Sequence, residues 1–382
     1  MLHFLRELHE PDSWRLVFNL FGYVTFRAAL AASTAFVVSV LVGPWVIRRL
    51  RAMRVLEKTE KGDSAQLDEM HRDKATTPTM GGLLMLPAIV VSAALWGKLV
   101  DLVPVNGSGS ELRVNWLLLG AVLTYVALAA VGFIDDRIKM ATPGSKGMSI
   151  GRKMLALVVV GGVIAVWLAA FGDPAYSTRL QLPFIKPSVW FPELGILFVV
   201  WVLTVVVGTT NAVNITDGLD GLAAGCVTMV ALSYAALAYL ASHFKMASYL
   251  QIQWVPGSEE LVIFCAAVAG ATLGFLWYNA HPAEVFMGDV GALPLGGAIG
   301  YTALAVKQEI LLVVVGGVFV MEAGSVLIQI ASFRFFGRRV FRIAPLHHHF
   351  QFAGWSESKI VVRFWIMAAI FALLSIASLK IR

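Results

Sequence analysis

The sequence predicts an all-α polytopic membrane protein, and three observations support this fold class. Hydrophobic residues make up 58% of the 382 residues and charged residues only 14%, a balance far from that of a water-soluble domain. The apolar runs are about twenty residues long, which is the length a helix needs to cross the hydrocarbon layer. They do not alternate with a period of two, so the pattern favours helices over a closed β-barrel.

The chain is predicted to form one membrane domain over residues 1–382 with about ten transmembrane helices. Residues 1–20 carry charges throughout and show no small-residue cleavage site, so we expect a short interfacial segment rather than a signal peptide. The spans are predicted at 24–48, 79–97, 114–134, 153–171, 194–210, 219–241, 259–277, 288–305, 310–333 and 359–379.

The distribution of lysine and arginine predicts the orientation of the chain. These residues are dense in the connections after the first, third and ninth spans and sparse after the even-numbered spans. Because basic loops stay in the cytoplasm, the odd-numbered connections are predicted to be cytoplasmic and both termini periplasmic. The same bias accounts for the net charge of +6, so the basic composition does not indicate a nucleic-acid partner.

Polar residues of the types that serve in catalysis and ligand binding concentrate in the odd-numbered connections. A one-sided concentration of aspartate, asparagine, lysine and histidine at helix ends predicts one active site at the cytoplasmic face, built from several helices. The segments are "HRDKATTPTMGG" (71–82), "GFIDDRIK" (132–139), "NAVNITDGLDGL" (211–222), "WYNAHPAEVFMGDVG" (277–291) and "APLHHHFQFAGWSESK" (344–359).

Asp135 and Asp136 are predicted to lie at the cytoplasmic end of the third span. Two adjacent carboxylates at a helix C-terminus are opposed by the helix dipole and by their mutual repulsion. The pair therefore needs a cation, and either Mg²⁺ or Lys139, one turn later, can supply it. The alternative is a solvated acidic pair in a loop.

Two further motifs place aspartates at predicted helix starts. Asp217 and Asp220 stand three residues apart at the start of the sixth span, and Asp289 stands at the start of the eighth. An aspartate in the first turn accepts backbone N–H groups, so capping is the alternative to a functional role. Capping does not explain Asn214 on the preceding turn, nor the adjacent glycines, which let a ligand approach the backbone.

Aromatic and imidazole side chains add two ambiguous features. Phe286 either faces lipid or stacks on a planar base. The run His347, His348 and His349 cannot direct all three rings to one partner from a helix. The histidines either ligate a metal or donate hydrogen bonds to phosphate and sugar oxygens. A site for Mg²⁺, which prefers oxygen ligands, favours substrate contacts or a proton-handling role for them.

Carboxylates that hold Mg²⁺, together with lysines and helix N-termini, are suited to binding a diphosphate and to phosphoryl transfer. The sequence contains no P-loop or dinucleotide-binding glycine motif, and a lipid phosphate is the natural acceptor at the membrane face. The alternative class is an ion-coupled transporter, which would carry ionisable groups near the middle of its spans. Glu322 in the ninth span is a single exception to their scarcity.

Five motifs carry a resemblance to a known family over essentially the whole chain. They closely resemble the phospho-N-acetylmuramoyl-pentapeptide transferases, within the polyprenyl-phosphate N-acetylhexosamine-1-phosphate transferase superfamily, and the triple histidine favours this member over its relatives. The motifs are "TPTMGG" (77–82), "GFIDD" (132–136), "GTTNAVNITDGLDGLA" (208–223), "FLWYNAHPAEVFMGDVG" (275–291) and "PLHHHF" (345–350) with "GWSESKIVVRFW" (354–365).

The resemblance implies a Mg²⁺-dependent enzyme of the bacterial inner membrane. It would transfer phospho-MurNAc-pentapeptide from UDP-MurNAc-pentapeptide to undecaprenyl phosphate, giving lipid I and UMP in peptidoglycan synthesis. A related transferase of GlcNAc-1-phosphate is the alternative within the superfamily. A homodimer surrounded by membrane lipids is also implied.

The resemblance also assigns roles to residues at matching positions. Asp289 is implied as the Mg²⁺ ligand, with Asp135, Asp136 and His347 as further catalytic residues. Lys139 and Lys153 are implied to bind the lipid phosphate. The residues implied to bind the nucleotide or the rest of the donor are Lys74, Asn214, Asp217, Gly218, Leu219, Asp220, Asn279, Phe286, His348 and His349.

Two positions depart from the family pattern, and one mechanistic choice stays open. The family usually has glycine where this chain has Thr76 and glutamate where it has Gln351, which affects the donor loop and the charge near the histidines. The acceptor phosphate either attacks the β-phosphate directly, or an aspartate attacks first and forms a phospho-enzyme. We expect direct attack, because a phosphate is already largely ionised at neutral pH.

Overall fold

The structure is a computed structural model that describes residues 19–53, 55, 76–105, 109–141 and 147–381. Lys74 and nearly all of the interfacial segment predicted for residues 1–20 lie outside the described residues. The elements in chain order are α1 (Val24–Ala52), α2 (Gly82–Trp96), β1 (Val100–Val105), β2 (Gly109–Val114), α3 (Trp116–Ala141), α4 (Ile150–Phe171), α5 (Leu197–Thr216), α6 (Leu222–Ser242), α7 (Phe244–Leu250), α8 (Glu259–Asn279), α9 (Asp289–Ala305), α10 (Leu312–Val315), α11 (Gly317–Phe336), α12 (Leu346–Phe352) and α13 (Glu357–Ser378).

The described chain is mostly helical, and each predicted span coincides with a helix. Among the described residues, eight helices are long and apolar enough to cross a membrane: α1, α3, α4, α5, α6, α8, α11 and α13. The helices at the other two predicted spans are shorter, since α2 has 15 residues and α9 has 17. The chain is therefore an integral, multi-pass membrane protein, while the count of ten spans and their orientation stay predictions.

Within the described ranges of the chain, the two strands form one antiparallel hairpin, in which Val100 pairs with Val114, and an isolated bridge joins Arg179 to Glu193. This hairpin connects α2 to α3 and was not predicted from the sequence. It follows the end of α2 that lies opposite the candidate site described below.

The packing places α9 at the centre of the helical bundle. Each of the 17 residues of α9 is buried, and the helix contacts α2, α3, α5 and α6. The neighbouring α6 and α8 are also buried around most of their circumference. A helix that is apolar on all sides is expected in such a position, because other helices cover every face. By contrast α4, α11 and α13 expose large apolar side chains, as helices facing lipid do.

The connections that carry the five polar motifs meet at one end of the bundle. The N–H of Phe286 donates to Pro78 O (2.8 Å) and the N–H of Gly81 donates to Phe286 O (2.7 Å), which joins the segment before α2 to the segment before α9. Lysines of α3 and α4 contact Asp289 at the same end. The predicted convergence of several helix ends on one site is thus present in the fold.

A buried ion pair joins α1 and α8 at the opposite end. The guanidinium of Arg27 donates to both carboxylate oxygens of Glu260 at 2.7 and 2.8 Å, and the N–H of Lys98 donates to Glu260 at 2.7 Å. A charge in an apolar environment is tolerated only when it is paired and hydrogen-bonded. This pair fixes the starts of both helices relative to the end of α2.

Candidate active site

Three carboxylates on two helices form the centre of the candidate site. Asp135 and Asp136 lie in α3, and Asp289 is the first residue of α9. All three are buried, and one oxygen from each lies within 4.8 Å of the others. Because like charges at this separation repel strongly, the cluster requires nearby cations.

The position of the acidic pair corrects the sequence-based boundary of the third span. The apolar run ends at residue 134, but α3 continues to Ala141, so Asp135 and Asp136 lie within the helix rather than at its C-terminus. They face the core because they continue the buried stripe of α3 that includes Leu128 and Gly132. The extra turns also carry Lys139 back to the same cluster.

Two lysines offset the negative charge of the cluster. The ammonium of Lys139 lies 2.8 Å from Asp135 Oδ2, 3.2 Å from Asp136 Oδ1 and 2.8 Å from Asp289 Oδ2. Lys153, in the first turn of α4, donates to Asp289 Oδ2 at 2.5 Å. Three carboxylates against two ammonium groups leave about one negative charge in the cluster, if all five groups are ionised.

Backbone and amide donors complete the coordination of the carboxylates. The N–H of Met148 donates to Asp135 Oδ1 (2.7 Å) and the N–H of Val290 donates to Asp136 Oδ2 (3.0 Å). The side-chain amide of Asn214 donates to Asp289 Oδ1 (2.7 Å). These hydrogen bonds fix the orientation of each carboxylate, and a preorganised site for charged groups needs such fixed orientations.

The donor set of this cluster fits a hard divalent cation. Its ligand atoms are carboxylate oxygens, which Mg²⁺ prefers, and its net charge is negative. Lys139 contacts an oxygen of every carboxylate, so the geometry already gathers the three groups around one positive charge. Lys139 and Lys153, predicted to bind the lipid phosphate, thus both contact Asp289, the predicted metal ligand.

The structure corrects the predicted helical position of Asp217 and Asp220. Helix α5 runs to Thr216, Asp217 is its C-cap, and residues 217–221 form a turn before α6 begins at Leu222. The two aspartates therefore do not share a helical face at the start of α6. Gly221 has a φ of +79°, a conformation that favours glycine, and this residue ends the turn. We call residues 217–221 the Asp217–Gly221 turn.

The Asp217–Gly221 turn is held by side chains from two other helices, α13 and α8. Glu357, at the start of α13, accepts from Asp220 N (2.8 Å), and Trp365 of the same helix donates to Gly221 O (3.2 Å). Asn279 accepts from Gly221 N (2.9 Å) and donates to Val285 O (2.8 Å). Asn279 is buried and its amide supports the turn through these two bonds, while the nucleotide contact predicted for it stays a prediction.

Asp220 and Leu219 point in different directions from this turn. The carboxylate of Asp220 lies 3.0 Å from His281 Nδ1 and accepts from Ala283 N (3.2 Å), so it faces the segment between α8 and α9. Leu219 is buried in the hydrophobic core. Any contact of Leu219 with a nucleotide would therefore come from its backbone.

His347 lies directly against this turn. A Cβ atom on Gly218 would collide with Nε2 of the His347 ring. Gly218 is thus required for the close approach of an imidazole, whereas the sequence suggested an approaching ligand. The ring is fixed from its other side by Glu322 of α11, whose Oε2 lies 2.9 Å from Nδ1.

The three consecutive histidines have three different partners. His348 Nδ1 lies 2.7 Å from Gln351 Oε1, and His349 Nδ1 accepts from Arg342 N (3.1 Å). His347 is the member of the run that reaches the Asp217–Gly221 turn. The divergence agrees with the expectation that neighbouring residues of a helix cannot face one partner.

Phe286 lies half-buried in the segment that leads to Asp289. Its backbone pairs with Pro78 and Gly81, as described above, so the position of the ring depends on the segment before α2. The site thus extends continuously from the acidic cluster to the Asp217–Gly221 turn, since Asn214 contacts Asp289 one turn before Asp217.

Sequence reasoning missed three residues of this site. Glu322 contacts His347, while His281 and Glu357 contact Asp220 or its backbone. Glu322 had one visible signal, because an ionisable residue in an apolar span is expected to have a polar partner. His281 and Glu357 lie in the predicted motifs, but nothing in their spacing indicated that they meet.

Comparison with known proteins defines the class first. Residues 118–307 match the family described as glycosyl transferase family 4, a stretch that contains the three aspartates, both lysines and the Asp217–Gly221 turn. The fold and this match define a polytopic membrane transferase.

Full-length similarity then defines the family. The chain is 47% identical over 366 residues to the phospho-N-acetylmuramoyl-pentapeptide-transferase of Citrifermentans bemidjiense, covering 96% of both chains. It is 45% identical over 387 residues to that of Desulforapulum autotrophicum and 44% identical over 384 residues to that of Syntrophus aciditrophicus, covering 100% of each chain. The chain belongs to the phospho-N-acetylmuramoyl-pentapeptide transferase family of phosphoglycosyl transferases, which act in peptidoglycan synthesis.

Proposed function

We propose that the protein transfers phospho-MurNAc-pentapeptide from UDP-MurNAc-pentapeptide to undecaprenyl phosphate, giving lipid I and UMP. The reaction is Mg²⁺-dependent and takes place at the cytoplasmic face of the bacterial inner membrane. The observation that carries the proposal is the buried cluster of three aspartates and two lysines at the end of the bundle where the five polar connections meet.

The cluster has the charges that a phosphoryl transfer between two anionic substrates needs. Asp289, with Asp135 and Asp136, would hold Mg²⁺, which supplies charge stabilisation for the diphosphate when it is bound. Lys139 and Lys153 stand next to these carboxylates and orient the phosphate of the lipid acceptor. Both lysines are partly exposed, so they are accessible to a substrate.

The nucleotide end of the donor is assigned to the Asp217–Gly221 turn and Phe286. The turn is fixed by Glu357, Asn279 and Trp365, and a fixed backbone binds a ligand with little loss of conformational entropy. Phe286 offers an aromatic face for the base. In this arrangement Asn214 lies between the nucleotide and the reacting phosphates, because it contacts Asp289.

The geometry favours direct attack over a phospho-enzyme. An oxygen of the lipid phosphate forms a bond to the β-phosphorus of the donor, the bond between that phosphorus and the bridging oxygen breaks, and UMP leaves with the bond's electron pair. Every aspartate of the cluster accepts hydrogen bonds from N–H or ammonium groups on both of its oxygens. Such engagement lowers the nucleophilicity of a carboxylate and suits a role in orientation.

The test is release of UMP by the purified protein with undecaprenyl phosphate and UDP-MurNAc-pentapeptide. We expect release that requires Mg²⁺ and that falls at least about a thousand-fold in Asp289→Ala, because a group contacting transferring phosphates contributes on that scale. The matched control is Asp173→Ala, which removes an exposed aspartate at the opposite end and should keep full activity. Release from UDP-N-acetylglucosamine but not from the muramoyl donor would contradict the assigned substrate.

A single-turnover experiment without lipid acceptor separates the two mechanisms. Direct attack predicts no UMP burst and no phosphorylated protein, whereas a phospho-enzyme would appear in stoichiometric amount. A homodimer in the membrane is also part of the proposal, and crosslinking in native membranes tests it.

A further inference from the structure

His347 and Glu322 form a buried pair in which both carboxylate oxygens of Glu322 contact His347. The side chains are 1% and 0% exposed. Glu322 Oε1 accepts from the backbone N–H of His347 (3.1 Å), and Glu322 Oε2 lies 2.9 Å from His347 Nδ1. When Glu322 is ionised, its carboxylate only accepts hydrogen bonds, so Nδ1 then carries the proton that joins it to Glu322.

The other ring nitrogen of His347 is left without a partner. Nε2 is buried and has no hydrogen-bond partner among the described residues. It faces Gly218, at the centre of the Asp217–Gly221 turn. With the proton held on Nδ1, a neutral ring presents a lone pair at Nε2, and a buried polar atom without a partner is expected to serve a function.

We propose that Glu322 is a positioning residue for the transferase: it fixes the tautomer of His347 so that the Nε2 lone pair accepts a hydrogen bond from an O–H or N–H group of the sugar-nucleotide donor. This inference rests on the proposed function for the identity of the donor. It excludes a phosphate oxygen as the partner of Nε2, because an ionised phosphate and a lone pair are both acceptors. The sequence had assigned phosphate and sugar oxygens to the histidines together, as acceptors of their hydrogen bonds.

The neighbouring histidine shows that the tautomers of this run are set individually. His349 Nδ1 accepts from the backbone N–H of Arg342, so its proton must lie on Nε2. His347 and His349 are therefore expected in opposite tautomers, and His349 serves as an internal reference.

Access to Nε2 requires a small local shift at Gly218, whereas the bonds from Glu357, Asn279 and Trp365 hold the other half of the turn, at Asp220 and Gly221. The turn covers Nε2 in the structure, and Gly218 has no side chain that must be displaced. Donor binding at the turn would then supply the partner that Nε2 lacks, so the contact is formed with the donor and not before it.

Glu322→Gln gives a sharp test, because an amide has only one acceptor oxygen. The backbone N–H of His347 is always a donor, so the amide oxygen should face it and the NH₂ group should face Nδ1. The proton of the ring would then move to Nε2. The substitution therefore inverts the tautomer of His347 while it preserves the size of the side chain.

The experiment uses ¹⁵N-histidine-labelled full-length protein in lipid nanodiscs, with the His347 signals assigned by their loss in His347→Gln. We expect no proton on Nε2 in the wild type, a proton on Nε2 in Glu322→Gln, and an upfield shift of wild-type Nε2 without protonation when UDP-MurNAc-pentapeptide is added. The donor KM should rise about five-fold in Glu322→Gln, with a smaller change in kcat, because one hydrogen bond to the donor is lost.

Several results would overturn the proposal. These are a proton on Nε2 in the wild type, no response of Nε2 to saturating donor, or an inverted tautomer with an unchanged donor KM. The wild-type spectra decide the question even if Glu322→Gln fails to fold. Glu309→Gln, which changes another buried carboxylate, is the matched control and should leave the His347 tautomer unaltered.

This test separates the inference from the proposed function. Failure of the proposed function would appear as absence of UMP release from the muramoyl donor by the wild type. The tautomers of His347 in the free protein are measured without any donor.

Discussion

Replacing Lys139 with glutamine should convert the acidic cluster from a self-compensated group into one that depends on a bound cation. Lys139 contacts an oxygen of each of the three aspartates, at 2.8, 3.2 and 2.8 Å. Without it, Lys153 is the remaining lysine at the cluster within the part of the chain that the structure describes, and the net charge of these groups changes from about −1 to about −2 if they stay ionised.

The size of the effect follows from burial and exposure. Unit charges about 4 Å apart interact by about 4 kcal/mol at an effective dielectric constant of about 20, and removal of one partner of a buried pair costs about 3–5 kcal/mol. The Lys139 side chain is 35% exposed, so solvent screens part of this energy. We expect Lys139→Gln to destabilise the metal-free protein by about 2 kcal/mol.

The assay is thermal unfolding in detergent as a function of Mg²⁺ concentration, with EDTA as the reference state. A cation that binds only the folded protein stabilises it by about 2.7 kcal/mol at a hundred times its Kd. Because the variant has a more negative cluster, Mg²⁺ should bind it more tightly and stabilise it more than the wild type. Lys245→Gln, an exposed lysine outside the site, is the matched control.

Two results would refute this reasoning. If Lys139→Gln in EDTA is as stable as the wild type, Lys139 does not compensate the cluster. If Mg²⁺ stabilises the variant no more than the wild type, the carboxylates do not act as the metal site, and the assignment of Asp289 loses its support.

Two further substitutions test the packing around the site and at the opposite end. Gly218→Ala should lower kcat/KM by at least ten-fold, because the new methyl group displaces the His347 ring, whereas Gly208→Ala meets no atom within 4 Å and should be tolerated in a UMP-release assay. Glu260→Ala should cost about 3–5 kcal/mol in the free energy of unfolding measured in detergent, since it leaves Arg27 buried without its carboxylate; an unchanged stability would show that the pair is not maintained in the membrane.

Much of the fold could be predicted because transmembrane helices leave a strong and local signal. Every apolar run of about twenty residues became a helix, since lipid gives the backbone no other way to satisfy its hydrogen bonds. The predicted helix ends were less accurate than the helices themselves. Hydropathy reports where the apolar run ends, and α3 continues for about two turns beyond that point.

The sequence predicted which residues form the acidic cluster, but it did not predict most of the contacts between residues of the site. Asp135, Asp136 and Asp289 were selected from their positions at helix ends, and they do form one cluster. The turn at Asp217 was predicted as helix, because Asp217 and Asp220 also fit the pattern of a helix start. A C-cap and an N-terminal signal use the same residue types, so sequence alone could not separate them.

The pairing of Glu322 with His347 lay beyond sequence reasoning. Glu322 was considered only as a mid-span charge that argued weakly for transport. Its role depends on where α11 lies relative to α12, and the contact between these helices is set by packing. The contact of Asn279 with the turn was not visible in the sequence either, since an amide that faces a ligand and one that supports a backbone turn are the same residue type.

The burial of α9 has a consequence for how this protein is made. The helix contains Asp289, Pro294 and several glycines, and it is not among the eight helices whose length and apolar character suit them to cross a membrane alone. A polar residue and a proline both disfavour insertion of an isolated segment into lipid during synthesis. We therefore expect the partition of α9 out of the translocon to depend on α8 and α11, the long apolar helices that precede and follow it in the chain. The sequence that makes α9 suitable as the centre of the site would thus make its biogenesis cooperative with that of its neighbours.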